Sequence, residues 1–195
     1  YNIVINPPAR GNKTKKNDLV YDLPYMRRPH PKYITRGEIP AFEMIKYSVN
    51  FHRGCFGGCN FCAIVSHQGK EILSRSKASI LKEIDTITSD PDFKGVLSDM
   101  GGPSANMYQM TGVNKEQCKN CMRSSCVFPQ LCTNLNVDHG PLLDLYREIR
   151  SKEGIKKAFV GSGIRLDFAP KDYLAEVLKY HISGRVKVAP EHTED

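Results

Sequence analysis

The stretch Tyr47-Ser48-Val49-Asn50-Phe51-His52-Arg53-Gly54-Cys55-Phe56-Gly57-Gly58-Cys59-Asn60-Phe61-Cys62 joins a structural element to a chemical one. Its first five residues alternate apolar and polar side chains, the pattern of a strand. That strand delivers a tight loop on which Cys55, Cys59 and Cys62 follow at spacings of four and three, with Gly57 and Gly58 in between. Three thiols this close suit one metal centre. A [4Fe–4S] cluster takes four thiolates when fully ligated, so three local ligands leave one iron open to a small molecule. Zinc normally wants four protein ligands and closes with a second pair of cysteines. A disulfide set is disfavoured by the odd total of seven cysteines. Three unconnected core cysteines are not expected on a Gly-Gly loop.

At 195 residues the chain has the length of one domain with a proper core. Its 40% hydrophobic and 25% charged content is that of an ordinary globular protein, which disfavours disordered and fibrous classes. No apolar run approaches the roughly 20 residues of a membrane span. Reduced cysteines at metal-type spacing predict a cytoplasmic protein. The net charge of +7 suits an anionic substrate or RNA without singling out either. The chain opens on Tyr1 within the strand-like Asn2-Ile3-Val4-Ile5 and stops at Asp195, and so reads as part of a longer protein.

Around the loop, the chain divides into four segments. Residues 1–45 are a leading segment expected to wrap the core. Between 6 and 40 its many prolines predict little regular structure. Residues 46–111 hold the first part of the core, with a helix over 76–88 capped by Ser76 and a strand over 96–98 running into Asp99 and Gly101-Gly102-Pro103. Residues 112–139 form a cysteine-rich insertion. Residues 140–195 hold the remainder: helices over 142–149 and 172–180, and strands over 158–160 and 186–189. Strands alternating with helices predict an α/β fold with parallel strands, whose ligands gather at the carboxyl ends of the strands. The cysteine loop, Asp99 to Pro103, Gly161 to Arg165, and Pro190-Glu191-His192 all fall at such ends. His52 and Arg53 precede the loop and are candidate hydrogen-bond donors to cluster sulfurs, with a solvated loop pair as the simpler alternative.

The cysteine loop, with Phe61 as the aromatic before its last cysteine, resembles that of the radical S-adenosylmethionine (SAM) superfamily. Further segments resemble its YgiQ-type group: residues 40–46, Ser74-Arg75-Ser76, Ser98 to Pro103, Cys118 to Cys132, Gly163-Ile164-Arg165 and 189–193. The resemblance implies a partial (β/α) barrel of the radical SAM type. It implies that Cys55, Cys59 and Cys62 hold a [4Fe–4S] cluster and that SAM binds the open iron. Reductive cleavage of SAM to a 5′-deoxyadenosyl radical would follow, fed by an electron donor such as flavodoxin or ferredoxin. Phe61, Gly101, Gly102, Ser162, Arg165 and Glu191 fall where the family contacts SAM, with His192 beside them. Pro103 stands where an acidic residue is commoner. The resemblance supplies no substrate and no catalytic residue beyond these.

A second constellation lies in the insertion. Cys118, Cys121, Cys126 and Cys132, at gaps of three, five and six, place four thiols within 15 residues. That is enough for structural zinc or for a second iron–sulfur cluster. Reduced cysteines without metal are the plainer alternative. Lys115, Lys119 and Arg123 offer balancing charge, and His139 is a spare candidate ligand. Two other functions stay open: an iron–sulfur or zinc module binding RNA, and an electron-transfer iron–sulfur protein.

Overall fold

The structure, a computed structural model, describes residues 13–191. The strand-like Asn2–Ile5 and His192 lie outside them.

Proline punctuates the leading segment differently from the expectation of little regular structure. Helix α1 (Thr14–Tyr21) occupies a stretch that ends before Pro24, and Pro31 opens a 3-10 turn (Pro31–Arg36). Pro40 opens α2 (Pro40–Ile45). Proline at a helix start loses nothing, because its missing N–H has no partner there and its fixed φ already suits the helix. The segment is fastened to Arg75 and Ser76 of the core. The Arg75 guanidinium lies 3.8 Å over the Tyr21 ring, and Asp18 accepts from Ser76 N at 3.0 Å.

The order continues β1 (Ser48–Asn50), β2 (His52–Arg53), α3 (Ile64–Gln68), β3 (Leu73–Ser74), α4 (Lys77–Thr88), β4 (Val96–Leu97) and β5 (Asp99–Gly101). Then come β6 (Thr111–Gly112), α5 (Lys115–Lys119), β7 (Leu135–Asn136), α6 (Gly140–Ser151), β8 (Lys157–Ala158) and α7 (Lys171–Tyr180). The fold is mixed α/β with short parallel strand pairs: β1 beside β5, and β4 beside β8. β2 pairs with β3, and β6 with β7, both antiparallel. Among the described residues the strands remain in two-stranded pairs.

The strand expected over 96–98 ends at Leu97, and Asp99–Gly101, expected to lead into a turn, is a second strand with a different partner. Ser98 lies between them, and its N–H reaches Tyr47 O at 3.1 Å. The strand expected over 186–189 is reduced to one parallel bridge, Ile164 to Val188. Val186 and Val188 are too exposed to reward longer pairing.

The three helices expected from the sequence form as α4, α6 and α7. Ser76 caps α4 by accepting from Ser79 N, and Ile80, Ile84 and Ile87 turn inward. They meet Leu142, Leu145, Tyr146 and Ile149 of α6 in the main apolar core. Each such side chain stabilises the fold by about 1.5–3 kcal/mol on burial. A second apolar cluster of Phe56, Met107, Met110 and Phe168 lies under the cysteine loop, with Cys55 and Cys126 both packed against it. Among the described residues no helix is long and apolar enough to cross a membrane.

Candidate metal centre

The cysteine loop is held from below and from the side. Gly54 has φ +86° and its missing Cβ would lie 2.0 Å from Glu71 O, so only glycine fits that turn. Gly54 N donates to Gln68 Oε1, and Cys55 N to Gly69 O. Phe56 is 2% exposed and anchors the loop in the second apolar cluster. A Cβ on Gly57 would stand at ordinary contact distance from two sulfurs, 3.4 Å from Cys55 Sγ and 3.5 Å from Cys59 Sγ. That same Cβ would meet Arg165 Nη1 at 2.8 Å.

Arg165 reaches this loop from 106 residues away, its Nη1 3.6 Å from Cys59 Sγ. The residue is 6% exposed. A guanidinium so buried is costly unless paired, and Asp167 accepts from its Nε at 3.2 Å and its Nη2 at 2.5 Å. Glu191 Oε1 stands 3.8 Å from Nη1. Asn106, fully buried, fixes the Arg165 backbone: its Oδ1 accepts from Arg165 N and its Nδ2 donates to Arg165 O, both at 2.9 Å. Burial pushes the Cys55 and Cys59 thiols above their ordinary range. Glu191 adds to this at Cys59, and the positive Arg165 draws both back down.

The remaining strand ends converge on the same side. Asp99 Oδ1 accepts from Gly161 N and Ser162 N at 2.7 and 3.0 Å, and its Oδ2 accepts from Ser162 Oγ at 2.5 Å. Ser162 is therefore held by Asp99, and Arg165 by Asp167 and a sulfur. Gly101 lies against Ser162. Gly102 faces the His52 ring, whose atoms a Cβ would approach to 2.5–2.8 Å. His52 is 1% exposed, and burial lowers its pKa to about 4. Among the described residues neither of its ring nitrogens has a partner. Arg53 is exposed, Phe61 is 75% exposed, and Glu191 adopts φ +67°.

The other four cysteines lie close by. Cys118, Cys126 and Cys132 line a cavity of about 260 Å³ together with Lys70 and Lys115. Lys119 and Arg123 turn elsewhere, to Glu116 and to the carbonyls of Phe128 and Gln130. Burial, reinforced by the neighbouring thiols, raises the Cys126 thiol, and Lys70 opposes that rise. His139 is engaged in the core: its Nδ1 donates to Val137 O at 2.8 Å, which leaves Nε2 to accept from Asn106 Nδ2 at 3.3 Å. Among the described residues, no three Cys, His, Asp or Glu side chains are gathered tightly enough to grip a metal ion as they stand.

Two residues of this site carry no sequence signal of their role. Asn106 belongs to no motif, and its partners lie 33 and 59 positions away. Asp99 is legible only as the end of a strand; its three donors are 62 and 63 positions away.

Comparison with known proteins agrees with the radical SAM resemblance. The family described as "Radical SAM N-terminal" matches residues 1–48, ahead of the loop. The chain is 54% identical to a UPF0313 protein of Bacteroides thetaiotaomicron, over 99% of this chain and 33% of that protein. It is 51% identical to a UPF0313 protein of Rhodopseudomonas palustris, over 97% of this chain and 28% of the relative. It is 48% identical to the UPF0313 protein YgiQ of Salmonella typhimurium, over 98% and 27% respectively. The chain thus spans between a quarter and a third of the length of the curated relatives it matches. With about half of its residues identical along nearly its whole length, and a radical SAM match at its start, the chain belongs to the YgiQ-type, UPF0313 family of radical SAM proteins.

Proposed function

We propose that this chain is the cluster-bearing part of a radical SAM enzyme, in which Cys55, Cys59 and Cys62 hold a [4Fe–4S] cluster and SAM meets the iron they leave open. The observation that carries this reading is the buried Arg165 guanidinium, 3.6 Å from Cys59 Sγ and let in beside Gly57, whose Cβ would meet its Nη1 at 2.8 Å. Three thiols on one loop, with a cation against one of them, are donor chemistry that suits the group, and the thiols would draw together to hold it. When bound, the cluster would supply the one electron that cleaves SAM to methionine and a 5′-deoxyadenosyl radical, which acts on a substrate still to be identified.

The protein's own part is placement. Arg165 donates to Cys59 and offsets thiolate charge, while Asn106 and Asp167 hold it there. Asp99 orders the Gly161–Ser162 turn. Gly101 packs against Ser162 and Gly102 against His52, and we place them at the SAM end of the site with Ser162, Glu191 and the exposed Phe61 as its contacts. The parallel pairs β1–β5 and β4–β8 support a partial (β/α) barrel. A donor of the flavodoxin or ferredoxin kind, and the reducing cytoplasm that keeps thiols free, suit this chemistry.

The test is an electron paramagnetic resonance spectrum of the anaerobically reconstituted, reduced protein with and without SAM. A spectrum that changes on adding SAM is the expected result. A clear cluster signal indifferent to SAM would overturn the reading.

A further inference from the structure

We propose that Cys118, Cys121, Cys126 and Cys132 form a second, closed tetrathiolate metal centre that fastens residues 112–139 to the Cys55–Cys62 loop. The inference does not depend on the function proposed above.

The segment has little else to hold it. Its helix α5 is five residues long, β6 and β7 are two residues each, and Val113, Met122 and Phe128 are 76%, 97% and 73% exposed. Small elements without a core of their own are commonly closed by a metal. Two backbone bonds already present the cysteines in pairs: Cys121 N donates to Cys118 O at 3.2 Å, and Cys132 N to Cys126 O at 2.8 Å.

Donors are aimed at the sulfurs. Asn134 Nδ2 reaches Cys118 Sγ at 3.2 Å, and its Oδ1 is fixed by Asn114 N at 2.8 Å. Lys70 Nζ lies 3.9 Å from Cys121 Sγ, tied by Arg123 O at 2.7 Å. Such partners orient metal-bound thiolates and offset their charge. Gly112 makes room, since a Cβ there would stand 2.2 Å from Cys118 Sγ. Among the described residues the sulfurs stand apart rather than in one coordination sphere, and side-chain rotation on binding would gather them.

The link to the first loop is direct. Cys126 N donates to Phe56 O at 3.0 Å, and the missing side chain of Gly58 is replaced by Ser124 O, 2.3 Å from where its Cβ would be. Closing the second site therefore braces the first.

The test uses the full-length protein with Cys55→Ala, Cys59→Ala and Cys62→Ala, loaded either with zinc alone or, anaerobically, with iron and sulfide. About one metal centre per chain should remain, and adding Cys118→Ser, Cys121→Ser, Cys126→Ser and Cys132→Ser should remove it. Zinc without visible colour, or iron and sulfide with broad visible absorption, identifies which centre it is, and either supports the site. Should the sevenfold variant misfold, the unsubstituted protein decides the matter. Metal loading should slow iodoacetamide labelling of these four cysteines, read by mass spectrometry, at least about tenfold as a set. Equal metal in both variants, or labelling of the four at one rate with and without metal, would overturn the proposal.

Discussion

The two cysteine-bearing segments share an apolar cluster yet are built on opposite plans. The Cys55–Cys62 loop has three thiols, rests on the buried Phe56 and faces Arg165. The Cys118–Cys132 segment has four thiols, exposes its large apolar side chains and is tied by Asn134 and Lys70. The difference is one of thiol number and support, and it suits the two proposals. Three ligands on a rigid base would leave a position open for chemistry, whereas four on a weakly packed loop would stabilise the loop itself.

The sharpest break in this comparison is Cys59→Ala. It should abolish the SAM-dependent change in the cluster spectrum while leaving metal at the second set intact, read by metal analysis and paramagnetic resonance on one sample. Phe56→Ala should come next, because it removes the ring that both segments lean on. A cost of about 3–5 kcal/mol is expected, read as a lower melting temperature. If only one segment's metal retention fell, the shared base would be the wrong description.

Asp99→Ala frees three donors of the Gly161–Ser162 turn at once. A loss of about 1–3 kcal/mol is expected in denaturant unfolding, larger than the loss from Ser162→Ala.

A further effect concerns pH. His52 is held neutral by burial, with its pKa lowered from 6.5 to about 4. A lowered pKa means that this contribution to stability is fully present above pH 6.5 and is lost as pH falls toward 4. Melting temperature followed over that range should fall, and His52→Leu should flatten the slope. The smallest expected change is a shift in cluster potential for Arg165→Gln, with cluster content retained; an unchanged potential would reduce Arg165 to a structural ion pair with Asp167.

Much of the helical frame is legible in the sequence. Ser76 followed by apolar residues at helical spacing predicts α4, and Leu142, Leu145, Tyr146 and Ile149 predict α6, because both the cap and the apolar stripe are local patterns. The strands are less legible. Val96 to Ser98 reads as one strand leading to a turn, but Asp99–Gly101 is a second strand with a different partner, and partner choice is not written in so short a stretch. The leading segment departs from expectation for a related reason: proline breaks a helix from within, yet Pro31 and Pro40 sit at positions where a turn or helix begins.

The cysteine spacings, the Gly-Gly loop and its three thiols were determined by the sequence alone, since each depends on residues within a single loop. What only the tertiary structure decided is which distant groups meet that loop. Arg165 lies 106 residues from Cys59, Asn106 lies 59 from Arg165, and Cys126 reaches Phe56 across 70 positions. Local geometry follows from a few backbone angles, but these meetings depend on how the core packs, and no short motif encodes that.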